Sequence, residues 1–298
     1  MTEAKKSKVI FGDAWPDEVV GYVAEYLDHN DLHALEATCR CFQRHTRDGG
    51  YWRQSVVKAV SFPRPPRTTC NIQDWKAFAC ANHLMVGNKT DSISLLHDVA
   101  GYSSVDREKE ESADNTLHPS LCFREMVKYK DPGVREFAND RSLFDYTIQR
   151  LVCGCSMGQC YWSSGPSRDP NSDEFIDYMV RGSCILKGLQ IVPYRASWQL
   201  GQPTYAPRQV SLSILSTADA VVYSSPRYDI KNAMELQCFE LPQCVFLQDL
   251  AWRVRFSLHG KHQYQLDDDE QEGDADIPED RRQYYCCMSF ISLNGVLH

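Results

Sequence analysis

No stretch of this 298-residue chain approaches the roughly 18 uncharged apolar residues that a membrane helix needs, so no membrane span is expected. Met1 to Lys8 is polar and basic and lacks an apolar core segment, so a secretory signal is not expected either. A basic surplus is also missing. Lys and Arg number 32 against 40 Asp and Glu, for a net charge of −8, which argues against a nucleic-acid partner. The chain has no C-x2-C pair, no G-x-S-x-G, no H-E-x-x-H, no phosphate loop and no dinucleotide fingerprint. These absences point away from the commoner metal, hydrolase and nucleotide chemistries.

What is present starts with the charge distribution. The carboxylates crowd between Asp267 and Asp280, a run with no basic residue, which reads as a solvated loop. The 13 cysteines are an odd number, and reduced thiols in the cytoplasm, the nucleus or both are the expectation. Cys153, Cys155 and Cys160 fall in a C-x-C-x4-C spacing that does not suit structural zinc. Cys286 and Cys287 are neighbours in a strand-like run, so they face opposite ways and make poor co-ligands. No metal and no cofactor is expected.

The first 60 residues read as helical. Pro16 suits a helix start, and Asp17 and Glu18 complement its positive end. Val19, Val20, Val23, Tyr26 and Leu27 form an apolar stripe. Asn30 can cap a second helix over 31–45, with Leu32, Leu35, Cys39 and Phe42 on its buried face. A third helix is predicted from Tyr51 to Val60. The prolines from Pro63 to Pro66 then predict an extended spacer, followed by a docking helix around Trp75 and Phe78.

From about Asp91 the texture becomes that of short strands. Ser211 to Leu215 and Arg253 to Leu258 alternate apolar with polar. Prolines punctuate the runs, which predicts an antiparallel sandwich or jelly roll. The charged, helix-flavoured stretch 124–157 reads as an insertion. The fold class is therefore α+β and multidomain: a helical unit at 9–60, a linker and docking helix at 61–91, and a β-sandwich at 92–298. The acidic loop at 267–280 belongs to the last of these.

The helical unit resembles an F-box. The residues that carry the resemblance are Trp15-Pro16-Asp17-Glu18-Val19-Val20, Val23, Tyr26-Leu27, Asp31-Leu32, Leu35, Cys39-Arg40-Cys41-Phe42 and Trp52. They span about 11–58 and depart from the family pattern at Trp15, where Leu is usual. The resemblance implies docking on Skp1, and through it on a cullin–RING ubiquitin ligase. Pro16, Val19, Val20, Val23, Leu27, Leu32 and Leu35 are the residues expected to face Skp1. Cys39, Phe42 and Trp52 are expected to hold the helices together.

The second region resembles the C-terminal part of plant-type F-box proteins with a galactose-binding-like β-sandwich. The carrying residues are Ser103-Ser104-Val105-Asp106, Asn115-Thr116-Leu117 and Tyr161-Trp162-Ser163-Ser164-Gly165. Further ones are Ile191 to Ala196, Gly201 to Tyr205, Leu236 to Pro242, Leu258-His259-Gly260 and Tyr284-Tyr285-Cys286. Sandwiches of this class bind ligands with the loops at one end. Trp162, Arg195, Trp198, Gln199 and Tyr205 are the substrate-binding expectation, although Trp162 also reads as a core aromatic.

The expected role is a non-catalytic adaptor of an SCF-type ubiquitin ligase that binds an unknown substrate protein. Alternatives are a glycan-binding F-box protein and a Skp1-independent sandwich binding protein. A hydrolase on a jelly-roll scaffold would require a His or carboxylate cluster in a concave pocket. In sequence, His259 and His262 read as a surface pair, and Asp173-Glu174 as the cap of a strand.

Overall fold

The computed structural model describes residues 16–27, 29–38, 40–48, 50–63, 75–77, 79, 95–117, 160–247, 251–266 and 281–297. The proposed insertion at 124–157, the acidic run at 267–280 and the positions Trp15, Cys39, Cys153 and Cys155 lie outside them. No helix among the described residues is long and apolar enough to cross a membrane.

The N-terminal unit contains α1 (Asp17–Tyr26), α2 (His29–Thr38), α3 (Arg40–Asp48) and α4 (Tyr51–Ala59). The single helix predicted over 31–45 is thus two. Thr46 of α3 reaches back to Glu36 of α2, ten residues earlier, at 2.8 Å, a contact that one continuous helix rising about 1.5 Å per residue would not allow. Asn30 lies inside α2 and is not its cap.

Glu36 organises this unit. Its Oε1 accepts from the Trp52 indole at 2.7 Å and from the Thr46 hydroxyl at 2.8 Å, and its Oε2 accepts from Lys76. These bonds join α2, α3, α4 and the helical turn at 75–77. Burial pushes the carboxyl up, but the bonds from Lys76, Trp52 and Thr46 together outweigh it and hold Glu36 below its ordinary value.

The second region is a two-layer sandwich. One sheet, A, orders its strands β1-β9-β5-β13-β3: β1 (Val60–Ser61), β9 (Gln237–Leu247), β5 (Cys184–Pro193), β13 (Cys287–Leu297) and β3 (Trp162–Ser163). The other, B, orders them β2-β4-β10-β6-β7, with β8 also beside β6. Its members are β2 (Leu96–Tyr102), β4 (Glu174–Val180), β10 (Arg253–Lys261), β6 (Pro207–Leu215), β7 (Val221–Ser224) and β8 (Tyr228–Asp229). A hairpin of β11 (Gln263–Leu266) and β12 (Arg282–Tyr285) completes the described strands.

The alternation predicted for β6 and β10 is what builds sheet B. Val210, Leu212 and Ile214, with Val254, Phe256 and Leu258, point into the core between the sheets. Ser211, Ser213, Arg253, Arg255 and Ser257 take the other face. There Arg255 forks onto Asp177 at 2.7 and 2.9 Å and lies 3.9 Å over the Phe175 ring. In β5 the apolar run is nearly continuous because both faces are covered. Leu186, Leu189 and Ile191 face the core, while Ile185 faces the helical unit. Gly188 permits β5 to approach β9, since a Cβ there would sit 2.4 Å from the Phe239 carbonyl oxygen.

The two regions are joined by packing. Val60 and Ser61 leave α4 directly as β1 and pair in parallel with Cys244 and Val245 of β9. Ala24, Leu32, Trp52, Val56 and Trp75 share one apolar cluster with Ile185 and Phe246 of the sandwich. Phe62 packs edge-on against both Trp75 and Phe246. Of the spacer expected from the prolines, Phe62 and Pro63 are described and residues 64–74 lie outside the described residues.

Candidate functional site

α1 carries two apolar faces. Val20 and Ala24 are 1% and 4% exposed and pack inward. Val19, Tyr22, Val23 and Tyr26 are 41%, 69%, 38% and 86% exposed. The spacing 19, 22, 23, 26 puts them on one side of the helix. Large apolar side chains grouped this way on a surface mark an interaction face.

Of the residues expected to face Skp1, Pro16, Val19 and Val23 are exposed and Leu35 is half-buried. Leu27 is half-buried and packs against the cluster of Trp52 and Phe246. Val20 and Leu32 are corrections to the sequence-based expectation. Both are buried, Leu32 completely, because they fill the space between the helices. Tyr22, absent from the stripe read in the sequence, and Tyr26, a member of that stripe not counted among the Skp1-facing residues, are both on the surface. The signal that finds them is the outward i, i+3, i+4, i+7 stripe, beside an inward stripe of the same period. Residues 15–58 match the F-box-like family model.

This N-terminal part is F-box-like.

The F-box-like unit sits at one end of the sandwich, beside the start of β5 and the finish of β9. β5 then runs for 10 residues to the opposite end, roughly 30 Å away at the usual rise of a strand. There the chain forms a loop over 194–205 that leads into β6. The loop is tightly bonded. Ala196 N donates to Pro203 O at 2.9 Å, Gln202 N to Gln199 O at 3.0 Å, and Tyr205 N to Tyr194 O at 2.9 Å. Arg195 and Thr204 form a bridge across it. Gly201 and Gln202 adopt positive φ of 75° and 48° to turn the tip.

From this rigid loop Trp198 and Leu200 stand out, 56% and 79% exposed. Gln199 braces the loop from within, since its Oε1 accepts from the Tyr205 hydroxyl at 2.6 Å. Tyr205 is 2% exposed, and burial pushes its hydroxyl up to about 12. Tyr205 and Trp162 are therefore corrections to the expected substrate contacts. Trp162 is fully buried between the sheets, where its indole donates to the Ser104 carbonyl at 3.2 Å. Tyr194, another aromatic of this region, stacks on Tyr161 at 3.8 Å beneath the loop. Leu200 escapes sequence reasoning because an exposed Leu between Gln and Gly carries no periodic signal.

Below the loop end lies a buried ion pair. Lys261 Nζ donates to Glu174 Oε1 at 2.7 Å and to the Ser172 hydroxyl at 2.8 Å. Ser103 and Ser104 donate to the other oxygen of Glu174. Glu174 thus ties the ends of β2, β4 and β10 together.

A polar groove of about 520 Å³ opens at the same end, lined in part by Asn171, Asp173, Arg208, Arg227, His259 and His262. His259 and His262 are not equivalent there. His259 Nδ1 bonds Asp173 at 2.8 Å, while burial and the nearby Arg208 charge hold His262 below its ordinary value. Among the described residues, no group of three or more His, Cys, Asp and Glu side chains is placed to hold a metal ion.

Comparison with curated proteins gives no match. Among solved structures, the chain is similar to the family 32 carbohydrate-binding module of Streptococcus pneumoniae EndoD, at 7% identity and a TM-score of 0.37. That likeness covers 67% of this chain and 98% of the other. It is also similar to chitosan-binding module 1 of a chitosanase/glucanase from Paenibacillus sp. IK-5, at 9% identity and a TM-score of 0.32, covering 68% and 98%. The C-terminal domain of a chitobiase from Bacteroides fragilis gives 8%, 0.35, 67% and 94% in the same order. Likeness at this level says nothing of what this chain binds.

Proposed function

We propose that the chain is a substrate-recognition adaptor of the Skp1–cullin–F-box type. The F-box-like helices take Skp1, and the far end of the sandwich takes a substrate protein. The observation that carries this reading is the outward stripe of Val19, Tyr22, Val23 and Tyr26 on a helix inside the F-box-like match. An amphipathic helix in a groove reads its partner through this spacing. The substrate end is the Trp198–Leu200 loop. An adaptor of this kind contributes proximity, which raises the effective concentration of the substrate near the ligase. The packed join between the F-box-like unit and sheet A favours a fixed separation of the two surfaces.

The test is co-expression of the full chain with Skp1, followed by gel filtration. A one-to-one complex is expected, and it should be lost in the double variant Val23→Asp, Tyr26→Asp. Both residues are exposed, so the variant is expected to stay folded. A folded wild-type chain that elutes apart from Skp1 would remove the adaptor reading and leave a Skp1-independent binding protein. In the complex, Trp198→Ala with Leu200→Ala should abolish substrate ubiquitination and leave Skp1 bound.

A further inference from the structure

The outer face of sheet B brings together residues far apart in sequence. β4, β10 and β6 are consecutive in the sheet. Asp173 immediately precedes β4, His259 lies near the end of β10, and Ser211 lies on β6. His259 Nδ1 is 2.8 Å from Asp173 Oδ2, and His259 Nε2 is 2.9 Å from the Ser211 hydroxyl. Asp173 Oδ1 also accepts from the Gly260 backbone N–H at 3.3 Å, which fixes the carboxylate's orientation.

This bonding pattern assigns the tautomer. An ionised carboxylate only accepts, so Nδ1 carries the proton. In the neutral ring Nε2 is then an acceptor facing the Ser211 O–H. That is the order of roles in a nucleophile, a base and the group that orients the base. All three stand on or beside strands of one sheet, which is the rigid kind of support such a site needs.

The surroundings fit an anionic substrate. Asp173 and His259 line the groove together with Arg208 and Arg227. β8 pairs with β6 through Gln209 with Asp229 and Val210 with Tyr228. Arg227, immediately before β8, lines the same groove as His259, whose Nε2 contacts Ser211. Arg227 makes no hydrogen bond or ion pair among the described residues, and Arg208 donates to the neutral Asn171 amide at 2.9 Å. Both guanidinium charges are therefore available to a ligand. The carboxylates that share the groove are already occupied, Asp173 by His259 and Asp229 by the Gln209 amide at 2.8 Å.

We propose that Ser211, His259 and Asp173 form a hydrolytic site for small acyl esters that carry an anionic group. Ser211 Oγ attacks the ester carbonyl carbon, and its proton passes to His259 Nε2. Arg227 faces the negative charge that develops on the carbonyl oxygen. The ester C–O bond breaks, and the leaving alkoxide takes the proton from His259. Water then attacks the acyl-serine, again giving a proton to His259. The acid departs, and Ser211 recovers its proton. The sum is ester plus water to acid plus alcohol. Arg208 holds the anionic group. This activity is independent of the adaptor reading.

The test uses the purified full chain with a fluorophosphonate probe, and peptide mass mapping of the adduct. A native-state adduct on Ser211 is expected, absent from heat-denatured protein and from Ser211→Ala. Its formation should be at least about tenfold slower in His259→Gln and in Asp173→Asn. Ser257→Ala, directly across the ladder from Ser211, should label at the wild-type rate. The chain should hydrolyse the 4-nitrophenyl monoester of succinate faster than neutral 4-nitrophenyl butyrate, and Arg208→Gln should erase that preference. The proposal is overturned by native labelling no faster than denatured labelling. An undiminished rate in both His259→Gln and Asp173→Asn, or labelling without turnover of either ester, would also overturn it. Melting curves identify any variant that fails to fold, and the remaining one of the pair then decides.

Discussion

Lys261 and Glu174 form an ion pair inside the loop end of the sandwich, with Lys261 fully buried and Glu174 nearly so. Their 2.7 Å contact crosses from β10 to β4. Breaking a buried pair from one side strands the other charge away from water. Lys261→Met should therefore cost about 3–5 kcal/mol, read as a lower urea midpoint. Replacing both partners by apolar residues should restore most of that loss. An unchanged midpoint in Lys261→Met would show that the pair contributes nothing.

Glu36 gives the helical unit an acid limit. Its carboxyl titrates below its ordinary value of 4.5 in the folded chain. A depressed carboxylate adds stability that is complete above the unfolded value and is lost as pH falls through the folded one. Unfolding followed by tryptophan fluorescence should thus become easier below about pH 4.5. Glu36→Gln should lose roughly 1–3 kcal/mol at neutral pH and show a flatter acid limb.

The loop at 194–205 separates display from anchorage. Trp198→Ala and Leu200→Ala should leave the melting temperature within experimental error, because both side chains project from the surface. Tyr205→Phe keeps the ring but removes the bond to Gln199, and should cost about 1 kcal/mol. A large stability loss in Trp198→Ala would mean that the tryptophan packs rather than presents itself.

Burial also sorts the thiols. Cys184 is pushed up to about 12, and Cys286 and Cys287 are raised as well, in each case by burial. Cys238 is exposed. Brief iodoacetamide treatment of the native chain, mapped by mass spectrometry, should modify Cys238 and spare those three. All four should react once the chain is denatured.

Much of the fold is legible in the sequence because it rests on local periodicity. The alternation in β6 and β10 and the helical stripe of α1 are visible in short windows. Which of two apolar stripes on α1 faces inward is not visible there, because Val20 and Val23 are chemically alike. Only packing against Trp52 and its neighbours decides that. The division of 31–45 into α2 and α3 is hidden for a related reason: the sequence pattern of Leu32, Leu35, Cys39 and Phe42 keeps one helical period across both. Ser211, His259 and Asp173 lie beyond reach for another reason. They meet only through strand order, and no spacing along the chain encodes that order.

The parallel pairing of Val60 and Ser61 with β9 has a practical consequence for anyone dividing this protein. A fragment that starts after residue 61 strips β9 of its neighbour and leaves unpaired amides and carbonyls along an open margin. Ile185 and Phe246 would be wetted at the same place. Open margins of that kind recruit further strands, so the isolated sandwich should be sticky and prone to self-association. The better cut for biochemical work keeps the helices attached to it.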